Sequence, residues 1–150
     1  MRPHAGSAWV VFEKGDIVKG ILDKTMVEGL LEALPLEITV IDRDDRIVAW
    51  NDREPRLFER KEEIIGRDVR TCHSDKSNEM IDSMLSRMKA GNRDSYRFWY
   101  DHEVEGGART EKILIEYIAL RDPEGNYLGC METMQRIDGI REITGEKRSL

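Results

Sequence analysis

Residues 112–121 have the sequence KILIEYIALR, the clearest β-strand pattern in the chain. Successive residues of a strand point to opposite faces, and an antiparallel strand with one face in water alternates apolar and polar side chains. One face here carries Ile113, Ile115, Tyr117 and Ala119, and the other carries Leu114, Glu116, Ile118 and Leu120. The second face is too apolar to be left in water, so the pattern predicts that it is covered. The cover is either an N-terminal helix or a second subunit.

Four further strands are predicted around this one. β-Branched and aromatic residues bounded by turn residues favour strands at 38–41, 47–50, 94–104 and 127–135. The first two flank an Asp-rich turn and form a hairpin, and Asp122–Asn126 is a strong turn signal before the last strand. The sequence therefore predicts an α+β protein with an antiparallel sheet. A short apolar run at Ala8–Phe12 is either an edge strand or an arm laid on a neighbour.

Two amphipathic helices are predicted from their capping residues. Asp23 caps the first, which Pro35 stops. Ser74 and Asp75 begin the second, which ends at Gly91. Its apolar residues recur at helical spacing: Met80, Ile81, Met84, Leu85 and Met88.

The remaining segments are short and rich in charge. Residues 51–61 are predicted to form short helical pieces that bury Leu57 and Phe58, and the charged side chains of 52–63 are expected to lie on a solvated face. Asp138 can cap a short helix in the C-terminal tail.

The composition is that of a soluble globular protein with a heavily charged surface. The chain has 150 residues, enough for one domain, and a formal net charge of −6. This charge argues against binding to nucleic acid or to anionic membranes, since both need a basic face. Cys72 and Cys130 make no disulfide framework, and no stretch has the length of a signal peptide's apolar run or of a membrane span. The cytoplasm is the expected location.

Four segments of the sequence together resemble the PAS module of proteins in the DUF438 family, where it often follows a hemerythrin-like domain. They are Leu34–Asp42 (LPLEITVID), Ile65–Val69 (IGRDV), Cys72–Ser77 (CHSDKS) and Arg121–Gly129 (RDPEGNYLG). Family members commonly have CHPPKS at the third segment, so the chain departs from the pattern there. The resemblance implies a PAS fold: a five-stranded antiparallel sheet in the order 2-1-5-4-3, with helices packed on one face around a small cavity and flanking N- and C-terminal helices.

The resemblance also implies a domain organisation and a function. Residues 1–34 would be an N-terminal arm and capping helix, 35–136 the PAS domain and 137–150 a C-terminal helical tail. A PAS domain of this kind would sense a small ligand or cofactor, whose identity the resemblance does not fix; haem and a metal ion are candidates because of Cys72 and His73. Binding would be transmitted through a homodimer and the terminal helices to a downstream signalling protein.

Cys72 and His73 form the candidate site. They precede a helix N-terminus, whose partial positive charge favours the thiolate and the neutral imidazole, which are the metal-binding forms. His73 is either a structural hydrogen-bond donor or a ligand to haem iron or a metal ion. Cys72 is either a small buried hydrophobe or a ligand or redox group. A closed zinc site needs about four ligands, and the common zinc motifs are absent from the sequence.

The residues predicted to bind the ligand share a position beside the expected cavity: His73, Cys72, Met80, Met84, Phe98, Ile115 and Tyr117. Ordinary core packing explains the methionines and aromatic residues equally well. An enzyme is not predicted, because the sequence contains no nucleophile elbow, phosphate-binding glycine loop or metalloprotease helix. Two alternatives stand beside the sensor: a ligand-free interaction module, and a metal or redox site at Cys72 and His73.

Overall fold

The computed structural model describes residues 9–12 and 20–150 of the chain, with side chains from residue 20 onward. These residues form seven β-strands and three α-helices. The strands are β1 (Trp9–Phe12), β2 (Gly20–Asp23), β3 (Glu37–Asp42), β4 (Ile47–Trp50), β5 (Ser95–Val104), β6 (Arg109–Arg121) and β7 (Tyr127–Arg136). The helices are α1 (Lys24–Ala33), α2 (Asp75–Lys89) and α3 (Asp138–Arg141), with short 3-10 turns at Glu62–Ile64, Val69–Cys72 and Glu105–Gly107. Residues 1–8 and 13–19 of the predicted N-terminal arm lie outside the described residues.

Five strands form one antiparallel sheet in the order β4-β3-β7-β6-β5. Counted from β3 as the first strand, this is the order 2-1-5-4-3, so the predicted α+β fold is confirmed. Tyr117 in the centre of β6 lies opposite Tyr96 on β5 and Glu132 on β7. Strand β7 approaches β3 so closely at Gly129 that an added Cβ would lie 2.2 Å from the Ile41 carbonyl oxygen. A separate antiparallel pair joins β1 to β2, a strand that the sequence analysis did not predict.

Helix α2 packs on the inner face of the sheet. The Ser74 side chain accepts a hydrogen bond from the Ser77 amide and begins the helix as predicted. Four of its side chains are at most 2% exposed: Ile81, Met84, Leu85 and Met88. They pack in one cluster with Ile41, Ile47, Val69, Tyr117 and Cys130. Met80 was predicted on the same apolar face but is 40% exposed, because it lies on the solvent side of the helix.

The segment 51–61 contains no helix, contrary to the prediction. Pro55 lacks an amide donor, and polar side chains satisfy nearby backbone groups in place of helical hydrogen bonds. At its start Asn51, which is 2% exposed, accepts a bond from the Ile38 amide. The Asn51 amide group also donates to the carbonyls of Leu31 and Leu36. Phe58 was expected to be buried and is 42% exposed.

Helix α1 leaves most of its apolar face open. It contains no buried residue, and Met26 and Leu30 are 56% and 50% exposed. On the second face of β6, Leu114, Ile118 and Leu120 are half-buried. The amphipathic pattern of α1 predicts that its apolar side chains are buried, but within one copy of the chain they are not. None of the helices in the described residues is long and apolar enough to cross a bilayer.

The contrast between Met84 and Met80 on α2 can be measured. Met84→Ala is expected to lower the free energy of unfolding by about 2–5 kcal/mol, because it leaves a cavity in the core. Met80→Ala is the matched control and should cost at most about 0.5 kcal/mol, as is usual for surface substitutions. Urea unfolding followed by circular dichroism measures both values. Equal losses in the two variants would contradict the placement of α2.

Candidate functional site

A cavity of about 700 Å³ lies between the inner face of the sheet and residues 58–73. Its floor consists of side chains from β5, β6 and β7: Tyr100, Ile115, Tyr117, Glu132 and Met134. Its wall comes from residues 58–67 together with Cys72 and His73. The volume is within the range of ligand pockets, about 300–1,000 Å³. The floor is largely apolar, and the wall carries most of the charge.

Cys72 and His73 are placed by two capped turns. The Asp68 side chain accepts a hydrogen bond from the Arg70 amide and begins the 3-10 turn Val69–Cys72, after which Ser74 caps α2. His73 therefore lies at the junction of the two elements, half-buried in the cavity wall. Cys72 also lines the cavity but is exposed, which corrects its interpretation as a buried hydrophobe. Cys130, the other cysteine, is buried in the core.

Arg70 anchors this turn to the rest of the domain. Its guanidinium pairs with three carboxylates: Asp45 at 3.0 Å, Asp68 at 3.1 Å and Asp82 at 2.5 Å. Asp45 belongs to the β3–β4 turn and Asp82 to α2, so one side chain joins three elements. The Arg70 carbonyl also accepts a hydrogen bond from Asn78 on α2. These contacts fix the position of the backbone at Cys72 and His73.

An arginine–glutamate pair lies inside the cavity. Arg60 Nη2 is 3.3 Å from Glu132 Oε1, and the two side chains are 18% and 7% exposed. The Nε atom of Arg60 is buried and has no hydrogen-bond partner among the described residues. Burial lowers the pKa of His73, while the charge of Glu132 raises it and that of Arg60 lowers it. His73 therefore has its imidazole neutral at neutral pH, with a nitrogen lone pair available.

A second buried arginine–glutamate pair joins Arg56 to Glu37 on β3, the strand next to β7 in the sheet. Arg56 Nη2 lies 3.6 Å from Glu37 Oε2, with the side chains 5% and 7% exposed. Arg56 Nε donates to the Phe58 carbonyl at 3.1 Å, and Glu37 accepts from the Leu57 amide. The expectation that 52–63 is only a solvated face is therefore wrong for both arginines. The sequence did contain a signal for these two pairs: each of two apolar strands has a glutamate at an inward-facing position, Glu37 on β3 and Glu132 on β7.

The structure separates the predicted ligand-binding residues into two groups. His73, Cys72, Ile115 and Tyr117 line the cavity. Met80, Met84 and Phe98 are not part of its lining in the described chain. Met84 is held in the core beneath α2, Met80 faces solvent, and Phe98 packs edge-to-face on Tyr117 with ring centroids 6.1 Å apart. Helical spacing alone did not distinguish core from cavity.

The described residues contain no group of three or more His, Cys, Asp or Glu side chains arranged to hold a metal ion. A closed zinc site would need about four such ligands. A site that needs only one strong protein ligand is compatible with the wall at His73.

Known families and structures agree with this architecture. The PAS domain family matches residues 27–138, and the chain belongs to that family. The C-terminal domain of a protein from Streptococcus mutans is 27% identical with a TM-score of 0.77, and the match covers 91% of this chain and 98% of that one. Among curated proteins, none matches the chain.

Two further solved structures share the fold at lower identity. The PAS domain of BvgS from Bordetella pertussis is 20% identical with a TM-score of 0.56, covering 81% of this chain and 87% of that one. A PAS domain from Colwellia psychrerythraea is 19% identical with a TM-score of 0.55, covering 77% and 97%. Both likenesses concern the fold alone.

The charges around His73 make its titration testable by NMR. Its imidazole pKa is expected below the ordinary 6.5. Glu132→Gln should lower that pKa further by removing a negative charge, and Arg60→Met should raise it by removing a positive one. Since the unfolded chain binds the proton more readily, the free energy of unfolding should also fall as the pH drops below about 6.5. The reverse order of the two variants would contradict this geometry.

Proposed function

We propose that this PAS domain is a sensory module of the DUF438 type, which binds a small molecule in the cavity and transmits the binding to a partner. One observation carries the proposal: the cavity combines an apolar floor with convergent polar groups at Arg60, Glu132 and His73. Such a combination is typical of small-molecule sites, where apolar walls supply affinity and a few polar groups set orientation. The function proposed is binding rather than catalysis.

The alternative of a ligand-free interaction module requires an interior filled by the protein's own side chains. Met84, Met88 and Tyr117 fill the part beneath α2. The part beside residues 58–67 is left as a cavity of about 700 Å³. This unfilled part of the interior favours a ligand over a purely structural core.

Haem is the specific candidate that the residues support. The neutral imidazole of His73 is suited to bind iron, and haem sites need only one or two axial ligands from the protein. Ile115 and Met134 provide apolar floor, and the basic side chains of Arg60, Lys61 and Arg67 line the same cavity. These cations are the groups that carboxylates on a haem edge would need. Bound haem would supply redox and gas-binding chemistry, and the chain would supply orientation and water exclusion.

Transmission would run through β7 and the segments attached to its end. Glu132 and Met134 lie on the cavity floor, and β7 continues to Arg136. Arg136 Nη1 donates to the Pro55 carbonyl at 3.3 Å, so β7 also contacts the segment that leads to the cavity wall. Asp138 at the start of α3 accepts a bond from the Lys112 amide at 2.8 Å. A ligand that moves this strand would shift the C-terminal helix, provided its affinity differs between the two states.

The proposed partner across the N-terminal helix is a second copy of the chain. Met26, Leu30 and Leu31 of α1 are 56%, 50% and 37% exposed, and Ile21 on the preceding strand is 61% exposed. An open apolar stripe of this kind is typical of an interaction surface. The Asp52 amide donates to Glu32 on α1 at 2.7 Å, which connects the stripe to the segment beside the cavity. A downstream signalling protein would read the change in this dimer.

Haem binding is tested by titrating the purified domain with haemin and recording the visible spectrum. A Soret band with saturable, one-to-one stoichiometry is expected for the wild type. His73→Ala should abolish or shift the band by removing the axial ligand, while His102→Ala, at the Phe58 ring, serves as the control. The absence of a Soret band, or one unchanged in His73→Ala, would reject haem as the ligand.

Dimer formation is tested by light scattering coupled to gel filtration. The wild type is expected to elute with the mass of two chains. Leu30→Glu should produce a monomer, because it places a charge in the apolar stripe of α1. Glu28→Gln on the same helix alters an exposed side chain that pairs with Lys24 and should leave the dimer intact. A monomeric wild type would remove the proposed interface.

A further inference from the structure

The two buried arginine–glutamate pairs differ in how completely the arginine is used. The Arg56 side chain is 5% exposed, forms an ion pair with Glu37 at 3.6 Å and donates hydrogen bonds to the carbonyls of Asn51 and Phe58. The Arg60 side chain is 18% exposed and, among the residues that the structure describes, forms one ion pair, with Glu132 at 3.3 Å. Both contacts to glutamate are longer than the usual distance in a charged pair, about 2.7–2.9 Å, so it is the number of other acceptors that distinguishes the two arginines. Arg56 is fixed by two backbone carbonyls in addition to its glutamate, whereas Arg60 has only Glu132 as an acceptor among the described residues.

The guanidinium edge of Arg60 that carries Nε and Nη2 is only half used, because Nη2 contacts Glu132 and Nε has no partner among the described residues. Its Nε–H has no acceptor among the described residues, although the atom is shielded from water. An unmade hydrogen bond at a buried donor is costly, and the cost is larger for a charged group. The planar guanidinium offers a second nitrogen beside Nε, which is the arrangement that binds two oxygens of a carboxylate. If the guanidinium turned from Glu132 toward the cavity, a ligand carboxylate could accept hydrogen bonds from both nitrogens of this edge.

We infer that the cavity selects ligands that carry a carboxylate on an apolar body, and that Arg60 receives this group in place of Glu132. The inference rests on the proposed function of the cavity and names the chemical class of its ligand. It applies to a haem carboxylate and to a smaller organic acid alike. The apolar body would lie over Ile115 and Met134 on the floor.

Glu132 has another partner when Arg60 turns to the ligand. Burial raises the pKa of Tyr117, and the charge of Glu132 and a hydrogen bond with it raise the pKa further. The Tyr117 hydroxyl therefore stays protonated, and it lies on the residue opposite Glu132 in the neighbouring strand, where it can donate to that carboxylate. At the wall, Lys61 and Arg67 offset the charges of Glu59 and Glu63. The exchange at Arg60 would release the cavity wall from β7, the strand proposed to transmit the signal.

Matched acids and amides test the inference. Naphthalene-2-carboxylate with naphthalene-2-carboxamide, and decanoate with decanamide, differ only in the group that Arg60 would receive. Isothermal titration calorimetry gives their dissociation constants on the full chain at pH 7.5. Each acid is expected to bind the wild type about tenfold or more tightly than its amide, the gain usual for a hydrogen bond to a charged group.

Three variants locate the preference. Arg60→Met should remove the difference between acid and amide, and Glu132→Gln should increase acid affinity by removing the competing carboxylate. Arg97→Met removes an arginine from an exposed ion pair with Glu116 on the opposite face and should change nothing. His73→Ala should keep the preference, which separates carboxylate recognition from binding at the imidazole. Circular dichroism of each variant confirms the fold.

The outcomes distinguish the inference from the function on which it rests. Equal binding of acids and amides to the wild type, or an unchanged preference in Arg60→Met, would overturn the role of Arg60 and leave a ligand-binding cavity. Failure of all four compounds to bind both the wild type and Glu132→Gln would overturn the proposed function together with the inference. An acid preference lost only in Arg60→Met supports both.

Discussion

The cavity depends on the attachment of residues 51–61 to the sheet by ion pairs. Arg56 binds Glu37 on β3, and Arg60 binds Glu132 on β7, which is the neighbouring strand. Removing one member of a buried pair leaves an uncompensated charge and typically costs about 3–5 kcal/mol. The pairs therefore determine where the segment lies more than they add to stability. The cavity lies between the sheet and residues 58–67, which include the end of this segment.

The inner face of the sheet is divided between a packed core and this space. Helix α2 covers one part with four side chains that are at most 2% exposed. The other part faces residues 58–73 and forms the cavity floor. Tyr117 belongs to both, since it packs in the core cluster and lines the cavity. A ligand that moved the Tyr117 side chain would therefore also change the packing of the core.

Polar networks join the site to neighbouring elements on two sides. Arg70 fixes the turn that carries Cys72 and His73 to the hairpin and to α2. On the other side, Arg136 on β7 contacts the Pro55 carbonyl, and Asn51 contacts the end of α1. Each network joins the surroundings of the cavity to elements that are distant in the sequence through direct polar contacts. Movement of the cavity wall would therefore change the surroundings of both terminal helices together.

Local sequence pattern determined the five strands, the caps of the two main helices, the position of His73 before α2 and the family resemblance. Each depends on residues close together in the chain, through alternation, helical spacing or capping. Tertiary structure alone decided that Arg60 meets Glu132, which is 72 residues away, and that Met80 and Met84 have different surroundings. It also placed Cys72 at an exposed position and left 51–61 without a helix. These outcomes depend on strand register and on charge pairing across the sheet, for which a local pattern carries no information.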